Sequence, residues 1–115
     1  MRIVKRENAN IHKNTKNSIS IEYDTKDNDI NIAFVEINGR YPDNGKIINR
    51  KCKELIYVID GTGTIFVENE RFEIEKEDVI LIEPNEKYYF EGILKMLPAC
   101  YPAWTIEQVE FIHEE

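Results

Sequence analysis

The chain has 115 residues, of which 42% are hydrophobic and 32% are charged, and its formal net charge is −7. This length predicts one domain spanning residues 1–115, with enough apolar side chains for a packed core. The acidic balance argues against nucleic acid and anionic membranes as partners, because both are bound through concentrated positive charge.

The N-terminal segment is polar and predicts little regular structure. Residues 7–18 are rich in asparagine, which predicts a loose arm over about residues 1–18. Ile3 and Val4 form a short apolar pair within this arm, and we interpret them as an edge strand.

The rest of the chain is predicted to form a succession of short strands. Apolar residues recur at alternate positions or in short β-branched runs, and turn formers separate these segments, with a loop at 38–45. The segment 106–112 fits either a last strand or a short helix. The pattern predicts an all-β sandwich or barrel with little or no helix. The predicted strands lie at 19–23, 30–37, 46–50, 55–59, 64–67, 71–74, 79–82, 88–90 and 93–97.

The two cysteines, Cys52 and Cys100, do not have the number or spacing of a disulfide framework or a metal knuckle. They are therefore predicted to be reduced thiols. The sequence contains no apolar run of about 18 residues, and residues 1–10 lack the apolar segment of a secretory signal. These features predict a cytoplasmic protein without a membrane span.

Residues 46–92 contain two spaced motifs. In the first, six residues separate Glu54 from Gly61, and in the second a segment begins at Glu77 and ends at Tyr88. Both spacings resemble the conserved motifs of the cupin superfamily, which end on a glycine and on a histidine metal ligand. The flanking segments 39–42 and 102–108 resemble small bacterial single-domain, RmlC-like cupins.

The resemblance implies a double-stranded β-helix, or jelly-roll barrel, with a central metal site. Of the four implied ligands, only the acidic one is retained, as Glu54. We therefore expect no metal ion and no cofactor, because one carboxylate is insufficient for a first-row metal. The third histidine position holds Tyr88, and the first two hold Ile48 and Arg50 with the shorter motif spacing or Ile47 and Asn49 with the longer one.

With the shorter spacing, the resemblance implies that Arg50, Glu54 and Tyr88 converge inside the barrel mouth. Arg50 would then form an ion pair with Glu54 in place of the metal, or its guanidinium would help to bind a carboxylate or phosphate. Flat apolar walls around this pocket would suit a sugar or an aromatic ring. The predicted walls are Tyr88, Phe90 and Trp104, and Ile48, which shares a strand face with Arg50, is a further predicted ligand-binding residue.

These observations favour a metal-free barrel that binds a small polar, sugar-like or anionic ligand. A second hypothesis is an isomerase or epimerase of a sugar derivative, with Glu54 as the base and Tyr88 as the acid. A third is a non-catalytic structural or regulatory protein whose barrel is filled by side chains. We expect a homodimer, because the resemblance implies one and because an edge strand at Ile3 would pair with a second copy.

Overall fold

The computed structural model describes residues 1–113, which fold almost entirely into β-structure. Two single-turn 3-10 helices lie at Arg6–Asn8 and Ile106–Gln108. The predicted all-β fold class is confirmed. The strands are β1 (Asn10–Thr15), β2 (Ser18–Tyr23), β3 (Asn31–Tyr41), β4 (Lys46–Asn49), β5 (Lys53–Val67), β6 (Glu70–Glu75), β7 (Val79–Ile82), β8 (Lys87–Tyr101) and β9 (Val109–Ile112).

The two longest strands, β5 and β8, form the centre of the sheet. They pair antiparallel from Lys53 opposite Tyr101 to Val67 opposite Tyr88, with a bulge between Val58 and Asp60. One path of neighbouring strands runs β1-β2-β3-β8-β4-β9, and β5 also pairs with β6 and β7. Because β8 pairs with β3, β4 and β5, the sheet curls on itself and encloses an interior.

Alternate side chains of the strands point into this interior and form the core. Side chains alternate between the two faces of a strand, so each strand contributes every second residue. Burial of each large aliphatic side chain contributes about 1.5–3 kcal/mol to stability. The buried core residues are Ile37, Ile47, Ile56, Val58, Ile65, Ile74, Ile82, Tyr88, Phe90, Leu94 and Met96.

A pair of glycines allows β5 and β8 to pass close together. Gly63 lies opposite Gly92, and Gly92 has a φ of +141°. A Cβ atom on Gly92 would lie 2.5 Å from the Cα of Gly63, which is closer than real contacts allow. Larger residues at this pair would therefore push the central strands apart.

Several element predictions were wrong. Residues 10–15 are not a loose arm, because they form β1 and pair with β2. Ile3 and Val4 lie outside every strand of the described chain. β3 continues through much of the predicted loop to Tyr41, and β8 continues through Gly92. The last segment contains both elements that were considered, a 3-10 turn followed by β9. No helix among the described residues could cross a membrane.

Candidate ligand-binding site

The barrel encloses a cavity of about 800 Å³. Apolar side chains from β3, β4, β5 and β8 form its inner wall, while β1 and β2 contribute a polar wall. Asn14 on the polar wall donates hydrogen bonds to Ser18 and Ser20, and His12 lies 3.5 Å from Glu22. The interior therefore combines an apolar surface with polar groups, as small-molecule sites usually do.

Glu54 is the acidic group of the inner wall. The Tyr88 hydroxyl donates a hydrogen bond to Glu54 Oε2 at 2.9 Å, and Asn49 Nδ2 donates to the same oxygen at 2.9 Å. Asn49 Nδ2 also donates to the Tyr88 hydroxyl oxygen at 3.2 Å. The three side chains thus form a closed triangle on one side of the carboxylate.

The orientation of this triangle is set from the backbone outward. A backbone N–H group can only donate a hydrogen bond. Gln108 Oε1 accepts one from the N–H of Lys51 and a longer one from the N–H of Cys52. Gln108 Nε2 must then face Asn49, and it donates to Asn49 Oδ1 at 3.0 Å. Asn49 in turn must present Nδ2 to Glu54. Gln108 and Asn49 are buried, so this chain of donors is shielded from water.

The two oxygens of Glu54 consequently differ. Oε2 accepts two hydrogen bonds, whereas Oε1 accepts none from residues 1–113. Among the described residues, no fully buried side-chain nitrogen or oxygen lacks a partner, so Oε1 must retain some exposure to the cavity. A molecule in the cavity can therefore reach Oε1 without displacing a protein hydrogen bond.

The barrel wall changes the protonation equilibria of this cluster. Burial raises the pKa of Glu54, although the hydrogen bonds from Tyr88 and Asn49 oppose this rise. Burial and the Glu54 charge raise the pKa of Tyr88 well above its usual range. Burial and the same charge raise the pKa of Tyr41 to about 12. Both tyrosines are therefore neutral hydrogen-bond donors at physiological pH.

Tyr41 is a second group that faces the cavity, and sequence reasoning assigned it only to a loop. It lines the cavity from the end of β3, and none of the described residues hydrogen-bonds its hydroxyl group. Asn49 was named only as the position given by the longer motif spacing and was not assigned to the site. Gln108 was missed, because it carries no local sequence signal.

The predicted contact between Arg50 and Glu54 is wrong. Ile47 pairs with Tyr88, so Ile47 and Asn49 face the interior and the longer spacing holds. Arg50 follows the last residue of β4, and its side chain is exposed. It forms an ion pair with Glu110 at 2.6 Å and donates to Asn85.

The remaining predicted residues divide into two groups. Phe90 and Trp104 line the cavity together with Tyr88, and the rings of Phe90 and Tyr88 meet edge to face at 5.8 Å. Asn31 fixes Trp104 through two hydrogen bonds to its backbone. Ile48 is fully buried but does not line the cavity. Whether the lining residues bind a ligand stays a prediction.

Solved structures of known proteins share this architecture. Streptomyces Pac13, described as a nucleoside dehydratase, is 17% identical with a TM-score of 0.89, and the match covers 98% of this chain and 92% of that one. The polyketide cyclase RemF from Streptomyces resistomycificus is 12% identical with a TM-score of 0.75, covering 100% and 87%.

The chain has the cupin fold. Within this fold, residues 53–97 match the family described as AraC-like ligand binding domain. An uncharacterized protein of Methanocaldococcus jannaschii is 34% identical over 64 residues, which are 52% of this chain and 51% of that protein. The chain thus spans about half the length of the curated relative it matches.

Metal sites are common in cupins, but the residues here do not fit one. The four positions that would hold the metal carry Ile47, Asn49, Glu54 and Tyr88, which provide a single carboxylate and no imidazole or thiolate. Within residues 1–113, no three His, Cys, Asp or Glu side chains are grouped so that they could hold a metal ion. The chemistry of this site is therefore best considered through its carboxylate and hydroxyl groups.

Proposed function

We propose that the cupin barrel binds a small, uncharged polar molecule that donates a hydrogen bond to Glu54 Oε1. One observation carries this proposal: Oε1 faces a cavity of about 800 Å³, while Oε2 is already held by Tyr88 and Asn49. Ligand sites commonly enclose about 300–1,000 Å³. The match to the AraC-like ligand binding domain also supports small-molecule binding.

The chemistry of the inner wall favours a neutral ligand with hydroxyl or N–H groups. A carboxylate accepts hydrogen bonds, and the neutral Tyr41 hydroxyl nearby can donate one. The expectation of an anionic ligand depended on Arg50, which lies outside the cavity. Nucleosides and neutral sugars meet these requirements. The fold similarity to Pac13, whose variants are known with uridine, supports testing nucleosides first.

Binding can be measured by titration calorimetry with uridine, other nucleosides and neutral sugars, beside sugar phosphates. We expect neutral compounds to bind, and Glu54→Gln to weaken binding at least tenfold because the variant presents an amide N–H instead of an acceptor. Arg50→Ala is the matched control and should bind like the wild type. Binding of phosphates alone, with loss in Arg50→Ala, would contradict the proposal.

A second function, proton-transfer catalysis, is favoured by the raised pKa of Glu54. A carboxyl group whose pKa is moved toward neutrality is better suited to accept and return a proton. Glu54 Oε1 would take a proton from the ligand and return it to another ligand atom in an isomerisation, or to a departing hydroxide as water in a dehydration. The Tyr88 hydroxyl group would then hold Glu54 in place through its hydrogen bond. The Tyr41 hydroxyl group, which no described residue hydrogen-bonds, would be available to donate to the ligand.

Catalysis and binding are distinguished by exchange with deuterated water. A ligand that loses and regains a carbon-bound proton in the site incorporates deuterium, which mass spectrometry detects. We expect incorporation with the wild type and at least a hundredfold slower incorporation with Glu54→Gln at saturating ligand. Tight binding without any deuterium incorporation would agree with the binding function alone. It would exclude proton abstraction from carbon for that ligand.

The open cavity gives no support to the hypothesis of a barrel filled by side chains. Phe90 and Trp104 line the cavity and leave space between them and the polar wall of β1 and β2. Replacing the small inward residue Ser20 by Phe would fill part of this space. If the barrel binds a ligand, this variant should lose binding while it stays folded, whereas a barrel that is only structural should bind none of the tested compounds with or without the substitution.

A further inference from the structure

The polar wall of the cavity carries hydrogen-bonding groups that the protein itself does not use. The inward residues of β1 are Asn10, His12 and Asn14, and all three line the cavity. No residue between 1 and 113 hydrogen-bonds the amide side chain of Asn10. Asn14 donates to two serines through Nδ2, but its Oδ1 accepts no hydrogen bond from the same part of the chain. These amide groups are therefore available to a molecule in the cavity.

His12 offers a further group from the same wall. Its Nε2 lies 3.5 Å from Glu22 Oε2 on β2, and both side chains are partly exposed. A carboxylate can only accept a hydrogen bond, so Glu22 favours the tautomer that carries the proton on Nε2. The other ring nitrogen, Nδ1, is then an acceptor in the neutral imidazole, and no described residue donates to it. A hydroxyl group of a ligand can donate to this nitrogen.

The inner wall around Glu54 has a different chemistry. Tyr88, Phe90 and Trp104 present aromatic rings to the cavity, and Glu54 Oε1 offers an acceptor beside them. A planar ring with an N–H group suits this environment, because its faces pack against aromatic side chains and its edge donates to Oε1. A sugar ring would leave most of its hydroxyl groups unpaired against the same apolar surface. The two walls therefore favour different parts of a ligand.

The two walls are too far apart for one small ring to contact both. Glu54 lies on β5 and His12 on β1, and the strands are ordered β5-β8-β3-β2-β1 across the sheet. Four strand spacings of about 4.8 Å give a path of roughly 19 Å along the curved sheet. A sugar ring is only about as wide as one such spacing. A ligand that contacts both walls therefore needs at least two rings.

We infer that the polar wall is a second subsite, which binds the sugar of a nucleoside-like ligand while the planar ring of that ligand donates an N–H to Glu54. This inference rests on the proposed function and adds to it a division of the ligand between two walls. Sugar hydroxyl groups both donate and accept, so they can pair with the amide of Asn10 and with the acceptors of His12 and Asn14. The base alone and the sugar alone each fill one subsite, so each should bind more weakly than the joined compound.

Titration calorimetry with whole and truncated ligands tests the two subsites on the unmodified protein. Uridine is compared with 1-methyluracil, which keeps the ring N–H and lacks the sugar, and with methyl riboside, which lacks the base. Inosine and 9-methylhypoxanthine provide a second pair with a larger ring. We expect at least one of the two nucleosides to bind, and to bind at least tenfold more tightly than either of its parts.

Two variants of β1 place the sugar on the polar wall. Asn10→Ala and His12→Ala shorten exposed side chains, so both should stay folded, which circular dichroism verifies. Each should weaken nucleoside binding at least fivefold, because a sugar hydroxyl loses its partner, and should change binding of the methylated base by less than twofold. Asn38→Ala is the matched control, because Asn38 is exposed on β3 and does not line the cavity. Its binding should equal that of the wild type.

Glu54→Gln separates this inference from the proposed function, because it should weaken the nucleoside and the methylated base alike. Equal affinities for the nucleoside and its methylated base, with both weakened in Glu54→Gln, would overturn the second subsite alone. Unchanged nucleoside binding in both Asn10→Ala and His12→Ala would do the same. If none of these compounds binds at about 5 mM, the proposed function and the second subsite are both overturned.

Discussion

Replacing Asn49 by Asp tests the hydrogen-bond directions around Glu54. Asn49 Nδ2 donates to Glu54 Oε2 across 2.9 Å, and Gln108 fixes the amide in this orientation. An aspartate of the same shape would place an acceptor oxygen against the carboxylate. The two acids must then share a proton, because both cannot be ionised at this distance in a buried site.

The magnitude follows from the separation. At an effective dielectric constant of about 20, two unit charges about 3 Å apart repel by roughly 5–6 kcal/mol, which bounds the loss of stability when both acids are ionised. The folded variant retains a proton that the unfolded chain releases near pH 4. Its stability is therefore present below that pH and is lost by about 1.4 kcal/mol per pH unit as the pH rises toward the raised pKa of the pair.

Urea unfolding at several pH values between 4 and 8 measures this loss. Asn49→Asp should approach wild-type stability at pH 4 and fall several kcal/mol below it at pH 8, within a total that is commonly about 5–15 kcal/mol. Asn38→Asp, on an exposed position of β3, is the control and should stay within about 0.5 kcal/mol of wild type. Parallel pH profiles for the two variants would refute the assigned hydrogen-bond directions.

Three further predictions concern the same cavity. Burial raises the pKa of Glu54 in the folded chain above its value in the unfolded chain, so the wild type should lose stability as the pH rises from the lower of these two pKa values through the higher. Glu54→Gln should remove this part of the pH dependence in urea unfolding. Tyr41→Phe should change stability by less than about 1 kcal/mol, whereas Tyr88→Phe should cost about 1–3 kcal/mol because it removes a donor to the buried carboxylate; equal losses in thermal melts would contradict the difference between the two hydroxyl groups. The hydrogen bond that the Cys100 thiol donates to Cys52, together with burial, raises the pKa of Cys100. Both thiols are buried, so both should react with a chromogenic disulfide at pH 8 at least a hundredfold more slowly in the folded protein than in urea; fast native reaction would contradict their burial.

Strand alternation predicted much of the fold because most strands bury one apolar face. It failed at β1, where the inward residues Asn10, His12 and Asn14 form the polar wall of the cavity and leave no apolar alternation. The sequence pattern also predicted β5 and β8 as two shorter strands each, separated at glycines. There the structure uses a bulge and positive φ values to bend a strand without ending it.

The candidate site was predicted only in part. Motif spacing found Glu54 and Tyr88, but two spacings differing by one residue were both possible. A shift of one residue moves every side chain of a strand to the other face. The shorter spacing therefore placed Arg50 in the site, where the structure has Asn49. Gln108 reaches the site through the pairing of β9 with β4, a contact between distant parts of the chain. No local pattern predicts such a residue.

The long pairing of β5 with β8 has a consequence for the newly made chain. Lys53 pairs with Tyr101, so this part of β5 is synthesised well before its main partner. At about 5–20 residues per second this delay amounts to roughly 2–10 s. During that time β5 can pair with β6 and β7, which follow it closely. The inward residues of β5 remain uncovered until β8 arrives, so the newly made chain should be most prone to aggregation between these two events.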